Sequence, residues 1–294
     1  MKRKIIKQGK STLTISLPVK WAKKFNLEPG DEIEVEDKGR ELSINADKGF
    51  ESQKSKIDIS GRSISMVRFL LNSAYIRGDD KIKVIFDNPE QVDTVQECIN
   101  FNIGMAIIDQ SQKSCLIKEI SESSNEELDN MLRRIFYMIQ SFGEEGLELL
   151  RNNESIDDYW KRDRAINKYI YYALRILNKQ GHPHFRKTKP YYDIFMLLEY
   201  LSDEYSRLYR NLEENKISKS TIGFFEEVNQ MFRDFTKVFY KFNYEDADKL
   251  ILKKYDIRKR LLKINKKEDL TTTYYLAKIT EMIINIQQIR MQLS

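Results

Sequence analysis

The sequence predicts a multidomain α+β protein: a small strand-rich N-terminal unit, a small α/β module, and a C-terminal pair of three-helix bundles. Three observations carry this expectation. Two-residue alternation of apolar and polar side chains is confined to the first 120 residues or so. Glycine and proline thin out after residue 50, which favours long helices over turns. From about residue 123 the apolar residues recur at helical spacing in six stretches of about 25 residues each.

Of 294 residues, 41% are hydrophobic and 32% charged, enough to build cores under a well-solvated surface. The net charge of +5 is unevenly spread. Residues 1–24 hold eight basic side chains and no acid, so the rest of the chain carries 42 Lys and Arg against 45 Asp and Glu, a net −3. A local basic excess points to an anionic partner more strongly than a uniform one. Cys98 and Cys115 have no metal-ligand spacing and read as reduced, small core residues. No apolar run approaches the roughly 18 residues of a membrane span, and no apolar signal core follows the basic start. A cytoplasmic protein without membrane insertion is expected.

In the first unit, Ile5 and Ile6 mark a short strand. TLTISL alternates, with Leu13, Ile15 and Leu17 on one side and Thr12, Thr14 and Ser16 on the other. Pro18 fits the first residue of a helix over 19–26, which places Val19, Ala22 and Phe25 on one face. PGD is a turn, EIEVE a strand with Ile33 and Val35 inward, KGR a tight turn, and ELSIN the returning strand. This ββαββ unit has too little core to stand alone, so two copies are expected to share strands in a homodimer. The second half is acidic, from Glu28 to Glu41, which would keep phosphate to the basic side.

The run GKSTLTISLPVKWAKKFNLEPGDEIEVE resembles the AbrB/MazE/SpoVT family of swapped-hairpin domains. The resemblance rests on the Leu17-Pro18 step, the short helix, and Leu27-Glu28-Pro29-Gly30-Asp31-Glu32-Ile33. It implies a β-barrel-like dimer domain over residues 1–48 that binds DNA, with Arg3, Lys4, Lys7, Lys10, Lys20, Lys23 and Lys24 as the contacting residues. Members often carry paired arginines in the helix, whereas this chain has Ala22-Lys23. Lysine meets phosphate as a point charge, and arginine can fork to guanine, so backbone contact is favoured over base reading. The alternative is a solvated basic face on a module that only dimerises.

Residues 50–122 read as βαβαββ: a strand at 57–59, a helix over 63–77, the strand KIKVIF, a helix opened by Asn88 and Pro89, and the strands GMAIIDQ and SCLIKEI around the turn QSQK. No phosphate-binding glycine loop, nucleophile elbow or carboxylate pair stands here, so a linker or small-ligand sensor without chemistry is expected. The stretch resembles the connector between AbrB-like and PhoU-like domains of some prokaryotic regulators.

Helices are predicted over 124–151, 155–179, 190–214, 218–242, 244–265 and 269–293, the first opened by Ser123 or Ser124 with Glu126 and Glu127 at its positive end. In the third, Ile194, Leu197, Leu198, Leu201, Tyr205, Leu208 and Leu212 form one stripe. Glu199 and Asp203 are four apart, roughly 140–180° from the centre of that stripe, and so are expected on the surface. Asp163 and Asn167 are also four apart on the second helix and would complete an oxygen-rich site for a hard cation; a solvated acidic face is the alternative. LEYLSDEY and RDRAIN resemble the acidic motifs of the PhoU family of phosphate-uptake regulators. The resemblance implies a divalent or iron-type metal at Asp163, Glu199 and Asp203. The second repeat departs, with Ala277 and Glu281 in the equivalent places and Asp256 beside Arg258, Lys259 and Arg260. His182 and His184 flank Pro183 in what reads as a turn, with a metal site the alternative. Lys249, Lys253, Arg260, Lys263 and Lys267 form a basic stripe that would meet DNA, an anionic membrane or an acidic partner, or only water.

Together these readings give a dimeric DNA-binding transcriptional regulator linked to phosphate uptake. The alternative is a regulatory protein that acts on a phosphate transporter component and uses its N-terminal unit only to dimerise. No nucleophile–base pair or cofactor loop supports an enzyme.

Overall fold

Why a chain with only short strands can hold long helices in place is visible in the computed structural model, which describes residues 2–37, 42–45, 53–121, 128–215, 217–264 and 269–293. The chain divides into two compact units, Met1–Gln53 and Lys54–Ser294. The α/β module and the helices, expected as two domains, form one of them.

In the first unit β1 (Ile6–Gln8) pairs antiparallel with β2 (Thr12–Thr14), α1 covers Val19–Lys24, and β3 (Glu34–Asp37) pairs antiparallel with β4 (Leu42–Asn45). The β1–β2 turn carries Gly9 at φ +74°, a conformation suited to glycine. Pro18 is the residue before the helix, not its first: its backbone is extended, and its carbonyl accepts from Trp21 and Ala22. The helix ends in a Schellman arrangement. Leu27 N–H donates to Ala22 O and Asn26 N–H to Lys23 O, with Asn26 left-handed at φ 51°. The LEPGD turn then closes on itself, Glu28 N–H donating to Asp31 Oδ2 at 2.7 Å. The Lys38–Arg40 turn lies outside the described residues.

No described residue of this unit is buried. Ile5, Ile6, Leu13, Ile15, Val19, Phe25, Val35 and Leu42 are all exposed. The expected inward facing of Val35, and of Val19 and Phe25 on one helix face, is therefore not met within one chain. One chain holds two separate two-stranded sheets and no closed barrel; the barrel-like arrangement was expected of two chains together. The reason is physical: two hairpins of three or four residues cannot enclose one another's apolar side chains.

In the second unit the order is the predicted one: β5 (Lys54–Asp58), α2 (Ile64–Arg77), β6 (Lys81–Ile85), α3 (Gln91–Ile99), β7 (Met105–Gln110) and β8 (Ser114–Glu119). The sheet runs β5-β6-β8-β7, with β5 parallel to β6 across the α2 crossover and the other pairs antiparallel. Ile82, Val84, Cys115 and Ile117 face one side and are buried with Val67, Leu71, Tyr75, Val95 and Ile99 of the two helices. Ser63 caps α2 by accepting from Met66 N–H, and Asn88 Oδ1 accepts from Glu90 N–H before α3 begins. Both cysteines are free and buried; burial pushes the Cys115 thiol up to about 11, away from reactivity.

Six helices follow: α4 (Leu128–Arg151), α5 (Asp163–Gln180), α6 (Thr188–Glu214), α7 (Lys219–Tyr240), α8 (Tyr244–Leu261) and α9 (Leu270–Arg290). Residues 155–162, expected as helix, instead form an irregular run, a turn with Asp158 left-handed at φ 58°, and a single 3-10 turn at Tyr159–Arg162. The proposed caps at Ser123 and Ser124 lie outside the described residues. The two three-helix repeats do not stand in tandem with separate cores. Helix α4 packs on α7 and α6 on α9, so a single continuous apolar core runs through both. At this seam Tyr205 donates to Asn229 Oδ1 at 2.8 Å, and Asn229 Nδ2 donates to Gly143 O at 2.7 Å. A Cβ on Gly143 would meet Asn229 Oδ1 at 2.7 Å, so the close approach requires glycine there.

The α/β module is fastened to α5 by a buried charge network. Arg175 is fully buried, donates to Tyr75 O at 2.8 Å, and pairs with Glu119 at 3.0 Å and Asp80 at 3.4 Å. Lys179 Nζ lies 2.6 Å from both carboxylates. Gly78, at φ +104°, caps α2 and leaves room for the Lys179 stem: a Cβ there would sit 2.7 Å from Lys179 Cγ. Two cations and two anions balance, so no charge is buried alone. Replacing Arg175 with alanine would leave Tyr75 O with only the Gly78 N–H, and two carboxylates facing one lysine. We expect Arg175→Ala to cost about 3–5 kcal/mol in denaturant unfolding, and a loss under 1 kcal/mol would contradict this assignment.

Candidate nucleic-acid interface and acidic helical cluster

The seven basic residues expected to contact DNA are all exposed. Arg3 and Lys4 precede β1. Lys7 sits in β1 opposite Leu13, and Lys10 in the turn that follows. Lys20, Lys23 and Lys24 lie on α1, with Lys23 and Lys24 in its last turn, where positive charge also complements the helix dipole. Lys24 stands 5.4 Å from the Phe25 ring. Because directly paired residues share a face, Lys7 and Leu13 point to the same side of the hairpin. Within one chain the hairpin therefore mixes cation and apolar side chain on one face.

The acidic cluster sits between α5 and α6. Asp163 and Asn167, one turn apart on α5, meet Glu199 and Asp203, one turn apart on α6. These acids are not surface groups as predicted but half-buried. Two elements cover them: Tyr171 donates to Glu199 Oε1 at 3.3 Å, and Arg207 pairs with Asp203 at 2.9 Å. Burial, followed by the charge of Asp203, pushes Asp163 up to about 6 and Glu199 up to about 7. Burial also raises Asp203, opposed by Arg207. Asp163 Oδ1 and Asn167 Oδ1 are buried without a hydrogen-bond partner. These hard oxygen donors suit a cation such as Mg²⁺ better than a soft metal. Among the described residues, however, no three His, Cys, Asp or Glu side chains converge as a preformed metal centre.

Between α8 and α9 an acid is instead met by cations. Glu281 of α9 faces Lys254 of α8 at 3.5 Å and Arg258 at 3.8 Å. The companion is thus Lys254 with Arg258 and not Asp256, which pairs with Arg260. Between the repeats, Glu204 takes Lys278 at 2.8 Å and Arg207 at 2.5 Å.

Two other predicted features are ordinary structure. His184 N–H donates to His182 Nδ1, and His182 packs on the Tyr191 ring, which makes a turn. The basic stripe on α8 is largely neutralised. Lys249 pairs with Glu245 and Asp246, Lys253 with Asp234, and Arg260 with Glu227 and Asp256. Lys267 lies outside the described residues. The Arg175 network escaped the sequence reading. Its one signal is an arginine inside YYALRIL, where an unbroken apolar run implies burial on every side.

Residues 6–44 match the family described as antidote-toxin recognition MazE, bacterial antitoxin. The span takes in both hairpins, α1 and the LEPGD turn. It supports an AbrB/MazE-like N-terminal unit with a regulatory role, of DNA-binding or antitoxin type. No curated protein and no solved structure matches the chain. No described helix is long and apolar enough to cross a membrane.

A carboxyl held above its ordinary pKa binds its proton more tightly in the folded state. Its contribution is therefore full below the unfolded values of 3.8 and 4.5, and is lost as pH rises through about 6 for Asp163 and about 7 for Glu199. The wild-type unfolding midpoint should fall between pH 5 and pH 8. Glu199→Gln, which keeps an acceptor for Tyr171, should flatten that fall and gain on the order of 1 kcal/mol at pH 8. Parallel profiles for the two proteins would show that Glu199 ionises as it does in water.

Proposed function

We propose that this protein is a dimeric, DNA-binding transcriptional regulator whose helical half links it to phosphate uptake. The observation that carries the reading is the first unit: eight basic residues and no acid in its opening 24, set on hairpins that hold no core alone. A second copy supplies the missing apolar partners, and pairing duplicates the basic surface. Lysines in place of paired arginines favour contact with the phosphate backbone. Cytoplasmic location follows from that role, and no enzymatic activity is proposed.

The link to phosphate rests on the two three-helix repeats and on the acidic pair at Glu199 and Asp203, which resemble PhoU. In this reading Asp163, Glu199 and Asp203 would hold a divalent or iron-type cation, which when bound would neutralise their mutual repulsion. The chain's own residues set the conditions: Tyr171 holds Glu199, Arg207 restrains Asp203, and the two orphaned oxygens offer further donors. The second repeat, with Glu281 already satisfied by lysine and arginine, would hold none.

One observation favours a second reading. The matched family is described by recognition of a toxin, a protein. The exposed Ile5, Leu13, Val19 and Phe25 would also suit a protein partner, and the helical half would then act on a phosphate transporter component.

Binding of duplex DNA, followed by fluorescence anisotropy from 50 to 200 mM salt, separates the two. The regulator reading expects affinity to fall steeply with salt, and Lys7→Gln/Lys10→Gln/Lys20→Gln to reduce the log–log slope by about 3 for each protomer in contact with DNA. No binding at 50 mM salt would leave only the second reading. For the cation, elemental analysis of protein purified without chelator should find about one equivalent, lost in Asp203→Asn; metal-free protein would make the cluster purely structural.

A further inference from the structure

The face of the four-stranded sheet turned away from its helices is studded with lysine. Alternation puts Lys54 and Lys56 of β5, Lys81 and Lys83 of β6, and Lys118 of β8 on this side, opposite to buried Ile82, Val84, Cys115 and Ile117. The register aligns them in rows. Lys54 pairs with Lys81 and Lys81 with Lys118, giving three lysines side by side across three strands; Lys56 pairs with Lys83 in the next row. Four of the five are exposed and Lys81 is half-buried.

Like charges directly opposite on neighbouring strands are destabilising, and only about 5 Å separates one strand from the next. The repulsion is relieved only in part. None of the five is in an ion pair with a described residue; Asp58, next on this face along β5 from Lys56, interacts with it electrostatically, and Asp109 ends the row of Lys56 and Lys83 with Leu116 between. Protection of a sheet edge explains Lys54 and Lys56, because β5 is an edge strand. It does not explain Lys81, Lys83 and Lys118, which lie on the two central strands.

We infer that this lysine face is a second contact surface for the phosphate backbone of duplex nucleic acid, separate from the N-terminal unit. Three features select that partner. The cations are lysines, suited to phosphate as point charges and not to forked base reading. The rows hold no aromatic side chain on which unpaired bases could stack. Within the rows the apolar side chains, Ile85 and Leu116, are half-buried; exposed Ile108 and Ile120 lie only at the margin, short of the broad apolar face a bilayer takes up. The surface would make the second unit a direct DNA contact, where the sequence leads one to expect a linker or small-ligand sensor. The inference rests on DNA binding by the protein but not on which unit leads it.

The test uses the full chain, with Lys54→Gln/Lys81→Gln/Lys118→Gln compared with the N-terminal triple variant and with both combined. Duplex DNA binding is measured across salt, alongside sedimentation with vesicles rich in phosphatidylserine. The sheet variant should lower the salt slope by about 3 for each protomer in contact and weaken affinity at least tenfold at 100 mM salt. Its thermal midpoint should equal or exceed wild type, because a repulsive row has been removed. If DNA binding survives the N-terminal variant and disappears only in the combined one, the sheet face stands even though the N-terminal reading fails. Wild-type affinity and slope in the sheet variant would overturn the inference while leaving the regulator reading intact. Absence of DNA binding by any form would overturn both, and binding to vesicles without binding to DNA would reassign the face to membranes. A sheet variant that lost stability would be replaced by Lys83→Gln/Lys118→Gln, read for a slope change of about 2 for each protomer in contact.

Discussion

A guanidinium with no access to water decides how the larger unit is built. Arg175 carries its charge to the centre of α5, where it can be tolerated only if Glu119 and Asp80 come to meet it. Those two acids belong to the far ends of β8 and of the α2–β6 turn. The helix therefore cannot be satisfied until the α/β module has folded and docked. Tyr75 reinforces the arrangement from both ends: its carbonyl accepts from Arg175, and its hydroxyl donates to Ile103 O. The module is thus a structural partner of the helices and not a bead on a linker.

Two helix pairs hold their acids in two ways. Between α8 and α9 the acid meets lysine and arginine and is settled. Between α5 and α6 three acids share a half-buried crevice with one arginine, two amide or carboxyl oxygens go unpartnered, and protons are retained towards neutral pH. Stability has been given up at one of the two places, and such places are where function concentrates.

Much of this was legible in the sequence, and the failures have physical causes. The α/β order followed from alternation at Ile82, Val84 and Phe86 and from the helix opening read at Asn88 and Pro89, although α3 begins at Gln91. The α6 stripe from Ile194 to Leu212 was read from period alone, and its buried side chains match it closely. The start of α5 was misplaced because residues 155–162 are rich in charge and aromatics, and periodicity does not reveal that Tyr159 is drawn off to pack on Phe142 and Tyr209. Glu199 and Asp203 were placed in solvent because one helix considered alone has an outside; α5 covers it. Arg175 and the lysine rows were missed for a related reason. Strand register brings together lysines 27 and 37 positions apart, and helix docking joins residues 56 to 100 apart, which no local pattern contains.

The first unit's lack of a core has a consequence in the cell. A fold that exists only when two chains meet is governed by mass action, so its folded fraction depends on how much of the protein is present. At low copy number the hairpins would lack partners, and with them the paired basic surface. The second unit, with its own core, would persist regardless. Abundance itself would then switch the N-terminal surface on, more sharply than a binding isotherm for a preformed domain, because occupancy of DNA would scale with the square of the chain concentration.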